Sequence, residues 1–153
     1  MLPSFKIRFL APDKFGLVAR ACCALLLLVS LAHQPAAAAA EPMRILAFGD
    51  SLTAGLGLTE PETLSAQLGE ALTKMGRAAI VINGGVSGDT SAGGAARIDW
   101  ALADKPQVII LALGANDMLR GLDPAATRAN LEAIIAKAQA AGVEIVLAGM
   151  LAP

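Results

Sequence analysis

Tyrosine is absent from the 153 residues, tryptophan occurs only as Trp100, and histidine only as His33. Both cysteines, Cys22 and Cys23, fall within the first forty residues, so nothing beyond them can form a disulfide or a Cys/His metal site. A domain built from the remainder must be held together by its apolar core. So few aromatic side chains argue against stacking platforms for bases or sugars. Basic runs are missing too. The first forty residues hold four of the twelve basic side chains and one of the thirteen acidic ones, which leaves eight basic, twelve acidic and a net charge of −4. That balance argues against a nucleic-acid partner. Familiar signatures are also lacking: no G-K-[ST] phosphate loop, no G-x-G-x-x-G after a strand, and no G-x-S-x-G elbow.

The opening segment reads as a leader. Lys6, Arg8, Lys14 and Arg20 precede the apolar stretch "ACCALLLLVSLA", and "HQPAAAAAEP" then offers small residues for cleavage near Ala40. This is the build of a secretory signal peptide over residues 1–40. An uncleaved anchor is the other reading, but twelve apolar residues fall short of the roughly 17–25 that span a bilayer. The expected mature protein, residues 41–153, is therefore periplasmic or secreted, with no stable membrane insertion.

From Met43 onward strands and helices alternate. "RILAFG" predicts a buried strand, and Thr63–Gly76 a helix with Leu64, Leu68, Ala71, Leu72 and Met75 on one face. Strands are expected at Ala78–Asn83, Gln107–Leu113 and in "VEIVLAGM", with helices at Ala95–Ala103 and from Pro124 to Gly142. Such alternation with near-continuous apolar strands means a parallel sheet covered by helices on both faces. Ligands of these sheets bind beyond the carboxyl ends of the strands. The segments at that edge, "GDSLTAGLG", "NGGVSGDTSAGG" and "GANDMLRG", are rich in glycine and small polar residues, whereas the loops at the opposite edge are short and ordinary.

Those three segments suit acyl transfer. Ser51 follows the first strand at a helix start, where its hydroxyl faces the cleft and its N–H is an available donor. Gly88 allows a backbone N–H to approach a ligand, and Asn116 offers an amide donor. Three donors converging on one point suit a tetrahedral oxyanion. Each residue also has a plainer role: a helix cap at Asp50-Ser51, a turn at Gly88, a loop at Asn116-Asp117.

Together, "FGDSLTAG", "NGGVSGDTSAGG" and "LALGANDMLRG" resemble the first three sequence blocks of the SGNH hydrolases, the GDSL esterase/lipase family. Within it the chain is similar to the bacterial periplasmic arylesterases and the thioesterase I/lysophospholipase group, over Met43 to Pro153. The resemblance implies a three-layer α/β/α, flavodoxin-like fold with parallel sheet order 2-1-3-4, the family's fifth strand and closing helix missing. It also implies Ser51 as nucleophile and an oxyanion hole from the Ser51 and Gly88 N–H groups and the Asn116 side chain. Asp50, Leu52 and Gly114 are then expected at the substrate, with Gly114 shaping its turn and Asp50, Asp89 and Asp117 serving as caps and loop fasteners. Implied substrates are small aryl esters, thioesters or lysophospholipids, hydrolysed without metal or cofactor by an enzyme that is monomeric when full length.

The family's fourth block, Asp-x-x-His, does not occur in the sequence. The chain is thus expected to be an N-terminal portion, with residues 41–153 a C-terminally truncated hydrolase domain that alone is inactive and poorly soluble. A noncatalytic lipid- or carbohydrate-binding remnant and a carbohydrate acetylesterase share the same blocks. N-terminal sequencing of the exported protein checks the leader. The expected first residue lies near Glu41, and an intact Met1 in the membrane fraction would favour the anchor.

Overall fold

The computed structural model describes residues 41–149, so the leader and its cleavage site lie outside the described residues. Strand β1, Met43–Gly49, shows why it belongs in the middle of a sheet: Ile45, Leu46, Ala47 and Phe48 are all buried, on both faces. Strand β2 is Ala79–Gly85, β3 is Val108–Ala112 and β4 is Glu144–Leu147. All pairings are parallel and the order is β2-β1-β3-β4, as expected. The helices are α1, Ser51–Ala54; α2, Leu64–Lys74; α3, Ser91–Leu102; α4, Ala115–Leu119; and α5, Pro124–Ala140. Among the described residues no helix is long and apolar enough to cross a membrane.

The main core lies on one face of the sheet. Leu46 and Phe48 of β1 and Ile109 and Leu111 of β3 pack against Ile98 and Ala101 of α3 and Ile134 and Ala138 of α5. Burying a side chain as large as Phe48 stabilises the fold by about 1.5–3 kcal/mol. The opposite face is covered more thinly, by α2 lying on β2. On that face Val146 of β4 stays exposed beside its rung partner Ile110.

Two helices differ from expectation. Helix α2 buries only part of the stripe predicted for it, at Leu68 and Leu72. Leu64, Ala71 and Met75 are exposed, and the inward face carries Ser65, Leu68, Gly69 and Leu72. Two small residues, Ser65 and Gly69, thus lie on the inward side, and a Cβ on Gly69 would meet Val81 at 3.8 Å, an ordinary contact. Helix α3 begins at Ser91, four residues before the predicted start, because the Thr90 side chain caps it by accepting from the Gly93 N–H. The glycines taken for loop lie inside its first turn. A Cβ on Gly94 would overlap the Leu113 side chain, so the residue lets α3 approach β1 and β3.

Gly85 is held more tightly, since a Cβ there would fall on the backbone of Thr53 and Ala54 in α1. Gly85→Ala is expected to lower stability in urea denaturation by about 1–3 kcal/mol. Gly69→Ala, in ordinary contact and in mid-helix, should be neutral or stabilising by up to about 1 kcal/mol. Equal effects would refute this account of how the helices approach the sheet.

Candidate active site

Three strands end side by side. Gly49 of β1 is the rung partner of Gly85 in β2 and of Ala112 in β3. The chain turns from β1 outward to β2 and then crosses to β3, so the direction of winding reverses beside β1, where crevices form in open α/β sheets. Ser51, Gly88 and Asn116 follow those ends by two, three and four residues, and all three are half-buried.

Ser51 is the first residue of α1. Asp50 caps that helix, its Oδ1 accepting from the Leu52 N–H at 3.0 Å. No hydrogen bond among the described residues occupies the Ser51 N–H. Gly55 ends the helix in the left-handed region at φ 84°, where its N–H reaches the Ser51 carbonyl. Leu52 is largely exposed.

Gly88 sits at φ 80° in a turn closed by the Asp89 N–H on the Val86 carbonyl, a conformation that suits glycine. The loop is pinned to β1 by the Val86 N–H on the Gly49 carbonyl at 3.0 Å, and Arg120 donates to the Gly88 carbonyl at 2.8 Å.

Asn116 stands in the first turn of α4, a short helix where a loop was expected. Gly114 at φ 117° makes the turn into it. The Asn116 side chain is not an open donor in this state. Its Nδ2 donates to the Asp89 carbonyl at 2.9 Å and to Asp50 Oδ2 at 3.3 Å. The Asp50 carboxylate is buried and needs donors, which accounts for the second bond. Asp50 precedes Ser51 and Asp89 follows Gly88, so this single amide touches the chain neighbours of both other candidates.

The three aspartates have separate jobs, as expected of caps and fasteners. Asp50 caps α1. Asp89 pairs with Arg97 at 2.8 Å. Asp117, 2% exposed, accepts from the Ser91 N–H at 2.8 Å, from the Ser91 hydroxyl and from Thr127 Oγ1 at 3.2 Å. Asn130 in turn donates to Ser91 Oγ at 3.0 Å, so the starts of α3, α4 and α5 meet at one carboxylate. Burial pushes the Asp117 carboxyl up, but the bonds from Ser91 and Thr127 outweigh it and hold the group below the usual aspartate range.

Sequence reasoning missed Arg97, Ser91, Thr127 and Asn130. The signal available for Arg97 was a lone cation on a helix of small and apolar residues, eight positions after Asp89. An apolar cleft of about 350 Å³ opens beyond β3 and β4, lined by Gly114, Ala115, Met118, Leu131 and Leu147 among others. It begins one residue from Asn116 and does not include Ser51 or Gly88. Among the described residues no group of three His, Cys, Asp or Glu side chains is placed to hold a metal ion.

Comparison with known proteins points to one family. The model of the GDSL-like lipase/acylhydrolase family matches residues 47–153. Esterase TesA of Pseudomonas aeruginosa is 41% identical over 139 residues, 90% of this chain and 65% of that protein. An arylesterase of Vibrio mimicus is 36% identical over 72% of this chain and 56% of its own length. The chain thus spans between about half and two thirds of these relatives. The crystal structure of AlinE4, an SGNH-hydrolase family esterase, superposes with a TM-score of 0.71 at 50% identity, over 74% of this chain and 61% of that one.

The Asp117 cluster generates a prediction about acid. Its folded pKa lies below the unfolded one, so its stabilisation is fully present above the unfolded value, about 3.9, and lost as pH falls through the folded value. Asp117→Asn turns an amide donor toward Ser91 and should cost about 1–3 kcal/mol at pH 7. The loss should shrink at pH 3. Urea unfolding at both pH values checks this, and an equal loss at each would rule out the ionised carboxylate as the clamp.

Proposed function

Since this chain belongs to the GDSL-like lipase/acylhydrolase family, we propose that Ser51 is the nucleophile of an exported serine carboxylic ester hydrolase. The observation that carries this reading is the Asn116 amide, bonded both to Asp50 beside Ser51 and to Asp89 beside Gly88. On this reading the Ser51 hydroxyl and three N–H donors serve one site at the carboxyl edge of the sheet.

Ser51 Oγ attacks the ester carbonyl carbon and passes its proton to a base. The oxygen that gains charge is held by the Ser51 N–H, the Gly88 N–H and Asn116 Nδ2. The bond from Asn116 to Asp50, at 3.3 Å the longer of its two, is the one that yields to the oxyanion, while the bond to Asp89 keeps the amide aimed. Collapse expels the alcohol or thiol and leaves an acyl-enzyme. Water then attacks that ester, releases the carboxylic acid and restores Ser51.

Residues 41–153 contain no histidine, and among the described residues no carboxylate hydrogen-bonds the Ser51 hydroxyl. Turnover therefore needs a base beyond these groups. Aryl esters are the proposed substrates, with thioesters and lysophospholipids as further members of the class, and no metal or cofactor is needed for these steps.

The experiment uses protein expressed from the complete gene and a chromogenic aryl ester. Ser51→Ala should lower turnover on the order of 10⁶-fold with an unchanged circular dichroism spectrum. Asn116→Ala should lower kcat by about 10²–10³ with little change in KM. Full activity in a folded Ser51→Ala variant would eliminate the nucleophile, and a KM effect alone for Asn116→Ala would eliminate the oxyanion role.

A further inference from the structure

Arg97, in the second turn of α3, reaches out of its helix to the ends of two strands. Its Nη2 donates to the Gly49 carbonyl at 3.0 Å, its Nη1 to the Gly84 carbonyl at 3.0 Å, and its Nε to Asp89 Oδ2 at 2.8 Å. The guanidinium carbon lies 3.9 Å from the centroid of the buried Phe48 ring, which supports the cation from one face. Little of either charged group meets solvent: the Arg97 and Asp89 side chains are 20% and 10% exposed.

Each of the three acceptors belongs to a segment that places a proposed reacting group. Gly49 lies two residues before Ser51. Gly84 sits at the end of the strand that leads to Gly88. Asp89 follows Gly88, and its carbonyl takes the bond from Asn116. One planar group thus joins the turn of the nucleophile to the loop of the second donor, and through that loop reaches the third.

We propose that Arg97 is a positioning residue whose guanidinium sets the separation of Ser51 from the Gly88 N–H and the Asn116 amide, so that it governs acyl transfer rather than substrate affinity. This rests on Ser51 as nucleophile and on Gly88 and Asn116 as oxyanion donors. The chemistry requires arginine. Its donors point in a rigid fork and meet three acceptors at once, whereas a lysine ammonium keeps the charge on one compact atom. Without the fork the loop keeps its bonds from Val86, Asn116 and Arg120, so the fold persists while the spacing relaxes. Misplacement on the order of 1 Å in such a constellation costs about 10² in rate.

The test is Arg97→Lys in the protein expressed from its complete gene, with Arg97→Gln as a second variant and Ser51→Ala as control. Turnover of an aryl ester is expressed per serine titrated by a phosphonate ester, so loss of folded protein does not count as loss of rate. Expected for Arg97→Lys is a fall in kcat of about 10–10²-fold with KM within about twofold. The amide resonance of Gly88 and the side-chain resonances of Asn116 should shift in ¹⁵N spectra, while those of Ile109 and Ile134 in the core stay in place. Wild-type kcat per titrated site with unmoved Gly88 and Asn116 signals would overturn the proposal, and so would a rise in KM at constant kcat. Loss of cooperative unfolding in both variants would overturn it as well, because Arg97 would then hold the fold rather than the site. Activity that survives Ser51→Ala is a different failure, that of the esterase reading. If the wild type is inactive the resonances alone decide, and unmoved signals overturn the role of Arg97.

Discussion

The rest of the site depends on how closely α1 lies against the strand ends. A Cβ on Gly49 would overlap the Thr53 side chain and the Ala112 carbonyl, and one on Gly85 would strike the α1 backbone. Two glycines on one rung therefore let a four-residue helix sit directly on the sheet. So short a helix has no stability of its own. It is held by Asp50 at its start, Gly55 at its end and the buried Thr53 beneath it. Ser51 gains a defined direction from this packing. It is half-buried, which limits its freedom without closing it off.

Around that contact the polar groups divide the work. Asp117 is the most buried of the site's carboxylates and faces Ser91, Thr127 and, through Ser91, Asn130. It fastens three helix starts and leaves the cleft to others. Asp89 and Arg97 form a second fastening beneath the Gly88 loop. Asp50 and Asn116 face each other across the site. For the proposed oxyanion, charges this close need fixed partners, because a loose carboxylate would oppose the charge that the proposed donors stabilise. Each aspartate here is spent on a named donor.

The two faces of the sheet are finished unequally. On the side of α3 and α5, apolar side chains of the two inner strands and two helices interlock. On the other side α2 covers β2, and the apolar residues at the β3 and β4 end are half-buried or exposed. The site draws its rigidity from the better-packed side, since Arg97, Ser91 and Asn130 all project from α3 and α5. Packed cores deform little, so groups anchored there keep their distances.

The sequence by itself determined the order of strands and helices and the chain positions of Ser51, Gly88 and Asn116. Hydrophobic period, caps and turn residues act over a few neighbours and can be read along a line. Even there local reading failed where packing had a say. Glycines 93 and 94 looked like loop until Thr90 and the close approach of Leu113 made them helix, and the inward face of α2 turned toward Gly69. The contacts of the site were another matter. Asn116 meets Asp50 across 66 positions, Arg97 meets Gly49 across 48, and Asn130 meets Ser91 across 39. No local pattern selects one donor for one acceptor at such separations. Only the register of three parallel strands, which ends Gly49, Gly85 and Ala112 on a common rung, brings those side chains within reach and decides which of them touch.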